Sequence, residues 1–284
     1  MQLGNRFSVF YIVDSLVHLI RAMAFTYRRI LIVGATAGIG AALADKFISE
    51  GSKVIAVGRR QERLDAFVQK HGSDKTGAIR YDVTDSAGLD AFVQEVVTQY
   101  PDLDCVLLNA GVQSAIRLSR PAEVDLAAFH NEVSTNFSRL VDLSIKFLPH
   151  LLEKPFQTAL AFTGSNIALV PAVLVPAYSA SKAALNAYVY CLRRQNQGKS
   201  TKIIEIWPPA VQTEIHDYMG EDVGRALGMP IGEFIEQAWS QLAEGSEHVM
   251  VGGIPAEEPF KELANKRREA FELLSGVMLA KYQL

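Results

Sequence analysis

The sequence has 284 residues, 49% of them apolar, and a formal net charge of −3. This length suits one large domain or two small ones, and no linker, internal repeat or low-complexity tract divides it. The balanced charge, without a basic stripe, argues against nucleic acid as a partner, and the scattered histidines have no metal-site spacing. Cys105 and Cys191 lie in apolar runs, which predicts buried thiols, a reducing compartment and a cytoplasmic protein.

Residues 1–27 precede the first predicted strand and differ from the rest of the chain. Residues 7–20 are apolar, but Asp14 and His18 interrupt them, and the stretch is short for a membrane span. We predict an N-terminal extension, either non-native or amphipathic, followed by a single domain over residues 28–284. A membrane-surface helix at residues 7–20 is the less favoured alternative.

The first predicted strand runs directly into a glycine-rich turn. Residues 29–33 are continuously apolar, which is typical of a strand buried on both faces of a parallel sheet. Gly34, Gly38 and Gly40 follow, and a helical pattern comes next. Glycines let the backbone approach a pyrophosphate, and the helix N-terminus offers free amides. Strand, turn and helix in this order therefore predict a phosphate cradle.

The second predicted strand, residues 53–57, ends at Gly58, Arg59 and Arg60 without a carboxylate. An acidic residue usually holds a cofactor that lacks a 2′-phosphate, whereas an arginine suits the phosphate itself. Arg59 therefore favours NADP over NAD. The alternative is an exposed arginine that opens the next helix.

The third predicted strand, residues 77–81, leads to Asp82, for which two roles stay open. Asp82 either hydrogen-bonds the adenine amino group or only caps a helix that begins near Ser86.

The fourth predicted strand, residues 103–108, ends at the tripeptide Asn-Ala-Gly of residues 109–111. Its small side chains would let the backbone lie close to a cofactor. A predicted helix over residues 126–151 carries Asn136, an indifferent helix former. Taken alone, Asn136 is interpreted as a helix-surface amide.

The fifth predicted strand, residues 158–163, closes at Ser165, and ligands of doubly wound sheets bind at such strand ends. The next helix places Tyr178 and Lys182 one turn apart on one face. An ammonium near a phenol favours the phenolate, so we expect the pKa of Tyr178 to fall toward neutrality, where it can transfer protons. The alternative is a packed aromatic beside a solvated lysine.

The last third of the chain completes the pattern. Residues 170–176 are apolar and bounded by prolines, and they could wall an apolar substrate pocket. Residues 202–207 predict the sixth strand, and the glycine-containing stretch 214–232 predicts a lid. A helix at 231–245, a strand at 248–251 and a helical tail at 257–284 follow. This alternation predicts an α/β doubly wound parallel sheet in three layers.

Together these residues resemble the short-chain dehydrogenase/reductase family, in its compact single-domain branch, over residues 28–253. The glycine turn, the 109–111 tripeptide, Ser165 thirteen residues before Tyr178, and the Tyr-x-x-x-Lys spacing carry the resemblance. It implies a Rossmann-type catalytic domain that interconverts a ketone or aldehyde and an alcohol by hydride transfer with NADP(H), NAD(H) being less favoured. A homodimer or homotetramer is also implied.

The resemblance implies roles for individual residues. Tyr178 would be the acid/base, and Lys182 would lower its pKa and bond the nicotinamide ribose. Ser165 would polarise the carbonyl oxygen, and Asn136 would hold a water that relays protons. The expected cofactor contacts are Gly34, Thr36, Gly38, Ile39, Gly40, Arg59, Asp82, Val83, Asn109, Ala110, Gly111, Tyr178, Lys182, Pro209, Val211 and Thr213.

Three supporting positions depart from the family pattern. Val33 replaces a threonine, Leu108 replaces an asparagine, and Ala210 replaces a glycine. The reacting groups are intact. Some uncharacterised microbial or fungal reductases look most similar, and part of that group serves secondary metabolism.

Two other classes of function stay open at this point. One is a regulatory or scaffold protein that binds NADP(H) without turnover, and the other is a non-redox dehydratase or isomerase on the same fold. The apolar loop and lid predict a carbonyl or alcohol substrate with a hydrophobic portion. The direction and stereochemistry of the reaction are not determined by the sequence.

Overall fold

A computed structural model describes residues 27–282. The interpretations of residues 7–20 fall outside the described residues. Strands and helices alternate along the chain. The strands are β1 (Arg29–Val33), β2 (Lys53–Gly58), β3 (Thr76–Arg80), β4 (Cys105–Leu108), β5 (Thr158–Thr163), β6 (Thr201–Trp207) and β7 (His248–Met250). The helices are α1 (Gly38–Ser49), α2 (Gln61–His71), α3 (Leu89–Gln99), α4 (Leu126–Val133), α5 (Arg139–Leu152), α6 (Pro176–Gln195), α7 (Glu221–Arg225), α8 (Ile231–Ala243) and α9 (Glu257–Tyr282).

All seven strands are parallel and form one sheet in the order β3-β2-β1-β4-β5-β6-β7. The order reverses between β1 and β4, so their carboxyl ends open a crevice. Val33 at the end of β1 pairs with Val57 on one side and Leu108 on the other, which brings three strand ends level. The predicted doubly wound α/β fold is confirmed, and its crevice is where such sheets bind ligands.

The sheet is buried on both faces, as the continuous apolar strands predict. One apolar cluster fills the space between the sheet and α1, α2 and α8. A second cluster lies between the opposite face and α3, α5 and α6. A smaller group, Trp207, Phe260 and Ala264, attaches α9 to the end of β6. These layers hold the crevice rigidly at the sheet's carboxyl edge.

The predicted helix over residues 126–151 is confirmed, because helical backbone runs without a break from Leu126 to Leu152, but it is not α-helical throughout. A π-helical segment, Ser134–Ser138, separates α4 from α5. A π-helical turn holds nearly one residue more than an α-helical turn, and the apolar periodicity of the sequence does not reveal this change. Such π segments occur often at functional sites, and this one contains Asn136.

The predicted burial of both cysteines holds for Cys105 only. Cys105 lies inside the sheet, whereas Cys191 lies on the exposed side of α6. The apolar run around Cys191 is therefore one face of an amphipathic helix. None of the helices described between residues 27 and 282 is long and apolar enough to cross a membrane.

Candidate active site

A cavity of about 450 Å³ occupies the crevice at the carboxyl ends of the central strands. All but two of the residues predicted for the site line it. The exceptions are Gly40 and Asn136, which lie fully buried behind its wall. The predicted residues in the lining are Gly34, Thr36, Gly38, Ile39, Arg59, Asp82, Val83, Asn109, Ala110, Gly111, Ser165, Tyr178, Lys182, Pro209, Val211 and Thr213.

The glycine turn packs so closely on the end of β4 that side chains would not fit. Gly34 has φ +91°, and a Cβ built there would lie 2.7 Å from the backbone nitrogen of Ala110. A Cβ on Gly40 would lie 2.1 Å from the Gly34 carbonyl oxygen. Helix α1 begins at Gly38 directly beneath, so its free amides face the cavity. This cradle fits the pyrophosphate of a dinucleotide.

Asn109 joins the ends of three strands. Its Nδ2 donates to the Gly34 carbonyl oxygen at 2.8 Å, and its Oδ1 accepts from Thr163 Oγ1 at 2.9 Å. Asn109 is the first residue after β4, while the two partners belong to the ends of β1 and β5. The side chain predicted to touch cofactor therefore also stabilises the floor of the crevice.

Tyr178 and Lys182 lie on α6, which begins with Pro176. The tyrosine is 9% exposed and the lysine 2% exposed. Lys182 Nζ donates to the Thr163 carbonyl oxygen at 2.7 Å and lies 5.5 Å from the Tyr178 ring centroid. The sequence alternative of a solvated lysine is wrong.

The expected fall in the pKa of Tyr178 is also wrong. Burial raises the pKa of the phenol above its ordinary value, and the neighbouring Ser165 hydroxyl only partly offsets this. Burial lowers the pKa of Lys182 to about 8, and the charge of Glu205 acts in the opposite direction. At neutral pH the site therefore holds a protonated phenol beside an ammonium.

Ser165 follows β5 and caps a short 3-10 turn, Asn166–Ala168. Its Oγ accepts a hydrogen bond from the Ile167 amide at 3.2 Å, which fixes the hydroxyl at the cavity wall. Because a hydroxyl has a donor of its own, Ser165 can still donate to a ligand oxygen.

Asn136 is fully buried, so its interpretation as a surface amide is wrong. Its Oδ1 accepts from the Val112 amide and its Nδ2 donates to the Val112 carbonyl, both at 2.8 Å. Nδ2 also donates to Ser181 Oγ at 3.2 Å. A Cβ built on Gly111 would lie 3.3 Å from Asn136 Oδ1 and 3.8 Å from Lys182 Nζ. The π segment thus places the amide close to the lysine.

Two adjacent arginines follow β2, and they make different contacts. Arg59 is the more exposed and lies 3.9 Å from the Asp82 carboxylate. Arg60 also lines the cavity, and its Nη2 donates to Thr36 Oγ1 in the glycine turn at 3.1 Å. Sequence reasoning assigned only Arg59 to a phosphate. The presence of two consecutive arginines was the available signal for Arg60.

Glu214 links these arginines to the predicted lid. Its carboxylate lies 2.6 Å from Arg60 Nη1 and 2.9 Å from Arg63 Nη1. Burial raises the pKa of Glu214, but the two guanidinium groups outweigh it, so the pKa is lowered. Residues 214–219 form a 3-10 helix, and Glu214 is its first residue. Sequence reasoning missed this carboxylate.

Asp82 does not cap the helix after β3, so that alternative is wrong. Its Oδ1 accepts from the backbone and hydroxyl of Thr84 at 2.9 and 2.8 Å. Helix α3 begins only at Leu89, after a turn in which Asp85 accepts from Gly88. Asp82 lines the cavity and keeps its second oxygen toward Arg59.

The substrate end of the cavity differs from the predicted apolar wall. No residue of 170–176 lines it, and Val173 is 89% exposed. The cavity is lined there by Ile167, Ile215 and the hydrogen-bonded pair Gln113 and His216 (2.9 Å). Burial lowers the pKa of His216, so this wall is polar and uncharged near neutral pH. The part of the chain that the structure describes holds no cluster suited to a metal ion.

The family model for short chain dehydrogenases matches residues 28–224. The chain belongs to this family, whose members are oxidoreductases that use nicotinamide cofactors and act on small molecules. Among curated proteins, the uncharacterized oxidoreductase DltE of Bacillus subtilis is 32% identical over 228 residues, 80% of this chain and 89% of DltE.

Solved structures show the same fold. A short-chain dehydrogenase from Sphingobium yanoikuyae, in complex with NADPH, superposes with a TM-score of 0.73 at 21% identity, covering 86% of this chain and 95% of that one. A family member from Burkholderia phymatum, in complex with NAD, gives 0.72 at 20% identity, covering 89% and 96%. The two complexes contain different cofactors.

Proposed function

We propose that this protein is an NADP(H)-dependent reductase that converts a ketone or aldehyde into an alcohol. One observation carries the proposal: Tyr178, Lys182 and Ser165 face a single cavity that also contains a dinucleotide cradle. A binding protein without turnover does not need a buried lysine beside a buried phenol. Burying both groups costs free energy that binding alone would not require.

The preference for NADP(H) is supported by the charge at the end of β2. Arg59 and Arg60 line the cavity directly after β2, at the chain positions where an acidic residue would hold a 2′-hydroxyl. Guanidinium groups suit phosphate because they donate several hydrogen bonds in one plane.

The chain's own groups account for the proton side of the reaction. When bound, the nicotinamide cofactor supplies the hydride that adds to the carbonyl carbon. The protonated Tyr178 phenol donates its proton to the carbonyl oxygen, while the Ser165 hydroxyl orients that oxygen and stabilises its developing charge. The Lys182 ammonium stabilises the phenolate left behind. Burial raises the pKa of Tyr178, so the phenol is protonated at neutral pH and holds the proton that reduction consumes.

The substrate class follows from the cavity's substrate end. Ile167 and Ile215 offer apolar contacts, while Gln113 and His216 offer an uncharged polar wall. This combination suits a small carbonyl compound with both an apolar and a hydrogen-bonding portion. We also propose that residues 214–232 form a lid over the cavity and that residues 28–284 form a single domain.

The test is NADPH oxidation at 340 nm against a panel of ketones, aldehydes and diketones. Tyr178→Phe removes the donated proton and should lower kcat by about 10²- to 10⁴-fold, the usual contribution of acid–base catalysis. Tyr188→Phe is the matched control, because Tyr188 lies on the same helix and its hydroxyl bonds Ser144, at 2.7 Å. Full turnover in Tyr178→Phe would refute the mechanism. Cofactor-independent product formation would favour the dehydratase or isomerase alternative.

A further inference from the structure

Glu205 is a buried carboxylate that the proposed reaction does not use. It lies within β6, paired with Phe162 of β5 and His248 of β7, and only 1% of it is exposed. A charge inside a sheet is costly unless opposite charges or hydrogen bonds compensate it. The groups that surround Glu205 therefore indicate what it does.

The two carboxylate oxygens have different surroundings. Oε2 accepts from Asn186 Nδ2 at 2.8 Å, whereas Oε1 forms no hydrogen bond with any described residue. A Cβ built on Gly164 would lie 2.7 Å from Oε1, so only glycine leaves room for this oxygen. The carboxylate is therefore directed at the chain segment just before Ser165.

Lys182 contacts the same segment. Its Nζ bonds the carbonyl oxygen of Thr163, the residue that immediately precedes Gly164. Asn186, the hydrogen-bond partner of Glu205, follows Lys182 by one turn of α6. The ammonium and the carboxylate thus both lie next to the Thr163–Gly164 peptide, and helix α6 carries both Lys182 and the hydrogen-bond partner of Glu205. The charge of Glu205 raises the pKa of Lys182 against the effect of burial.

Other charged or titratable groups also face Glu205. From α6 these are Tyr190 and Arg193, and from β6 the indole of Trp207. Arg193 is held by other partners, since its Nε donates to the Ile203 carbonyl at 2.7 Å and lies 3.5 Å from Glu247. Burial raises the pKa of Glu205 above its ordinary value, and Trp207, Arg193, Asn186 and Lys182 offset this only in part.

We propose that Glu205 is a positioning residue: its carboxylate, next to the Thr163–Gly164 peptide that Lys182 also contacts, holds Lys182 in its protonated form at the active site. The consequence for catalysis rests on the proposed function. The electrostatic interaction between Glu205 and Lys182 does not depend on that function, because it concerns two side chains of this protein. Removing the carboxylate charge should make Lys182 lose its proton at a lower pH.

The direct experiment is an NMR titration of lysine labelled with 13C at Cε, with Lys182→Met assigning the signal. In Glu205→Gln the pKa of Lys182 should fall by about one pH unit, the shift typical of losing a nearby opposite charge. Glu205→Gln keeps an acceptor for Asn186, so packing changes little. Glu247→Gln is the matched control, because that carboxylate contacts Arg193 instead. Equal Lys182 titrations in Glu205→Gln and the wild type would overturn the proposal.

The second readout is the pH profile of kcat with NADPH. If Lys182 must be protonated for turnover, the alkaline limb of the profile moves to lower pH by about one unit in Glu205→Gln. In Glu205→Asp the limb should return part of the way to its wild-type position. A structural role alone would lower kcat at every pH without moving the limb, and that result would overturn the proposal. A wild type that never turns over would refute the proposed function, while the lysine titration would still test Glu205.

A wild-type measurement covers the case in which Glu205→Gln does not fold. The 13Cδ signal of Glu205 reports its protonation directly in the intact protein. We expect an ionised carboxylate at pH 7, where Lys182 is charged. A protonated Glu205 at pH 7 would overturn the proposal.

Discussion

At the scale of single residues, Arg60 makes the contact most relevant to cofactor choice. Its guanidinium bonds Thr36 in the glycine turn, while the neighbouring Arg59 reaches only Asp82, at 3.9 Å. An anchored guanidinium loses less entropy when it binds phosphate than a free one. Arg60 is therefore expected to contribute more than Arg59 to NADPH recognition.

The variant Arg60→Ala should weaken NADPH binding by about 10- to 100-fold, the value of one charged hydrogen-bond partner. Arg59→Ala should weaken it less, and NADH binding should change little in either variant. Fluorescence titration of both cofactors measures these effects. Equal losses for NADPH and NADH would show that the arginines do not contact a 2′-phosphate.

Gly40 lies in the glycine turn, where the surrounding atoms leave no room for a side chain. A Cβ there would lie 2.1 Å from the Gly34 carbonyl oxygen and 2.4 Å from Asn109 Nδ2. Gly40→Ala must therefore displace the turn, and we expect a lower melting temperature together with lost NADPH binding. Gly232→Ala is the control, since nothing lies within 4 Å of its built Cβ. Unchanged NADPH binding in Gly40→Ala would contradict the assignment of the turn as the cradle.

At the scale of elements, Glu214 connects the start of the predicted lid to helix α2. The carboxylate neutralises Arg60 and Arg63, and a 2′-phosphate would compete with it for Arg60. Glu214→Gln should therefore tighten NADPH binding several-fold while leaving NADH binding unchanged.

Fluorescence titration tests this effect, and Glu221→Gln is the control, because the Glu221 carboxylate pairs with Arg225, at 3.4 Å, instead of an arginine at the cavity. Weaker NADPH binding in Glu214→Gln would mean that the carboxylate orders the arginines instead of competing with the phosphate.

The elements show which parts of the site sequence reasoning can reach. Tyr178, Lys182 and Ser165 were predictable because strand ends and helical spacing determine where such residues lie. The π-helical conformation around Asn136 was not predictable. The apolar pattern indicates that the segment is helical, but it does not distinguish a single π-helical turn from an α-helical one. Contacts between distant segments, such as Glu214 with Arg60, depend on the folded path of a loop.

At the scale of the whole molecule, the sheet followed from the apolar strands and the glycine turn. The crevice was predictable because ligands of doubly wound sheets bind at the carboxyl ends of the strands. The pKa of Tyr178 was not predictable, since burial by the whole fold raises it and outweighs the lowering effect of the Ser165 hydrogen bond. The apolar 170–176 loop likewise packs outside the cavity, because composition does not determine which way a loop turns.

At the same scale, His248 on the edge strand β7 should make the stability of the whole fold depend on pH in the acid range. Nε2 of its imidazole accepts a hydrogen bond from Arg193 Nη1 at 3.0 Å, and only the neutral imidazole can accept one. Burial, with Arg193 and Arg268, lowers the pKa of His248 to about 3. The unfolded chain protonates this histidine near pH ~6.5, so the folded state loses stability as the pH falls from there toward 3.

The expected contribution is at most about 1.4 kcal/mol for each pH unit in this window. His248→Gln removes the titration, so its free energy of unfolding should fall less between pH 7 and pH 4.5 than that of the wild type. Urea unfolding at both pH values measures the difference, with the exposed His130→Gln as the control. The same fall in His248→Gln and the wild type would mean that the histidine is not held neutral. A smaller fall in the free energy of unfolding in His248→Gln alone would show that the folded state holds this histidine neutral. The edge strand would then be linked through Arg193 to the helix that carries Tyr178 and Lys182.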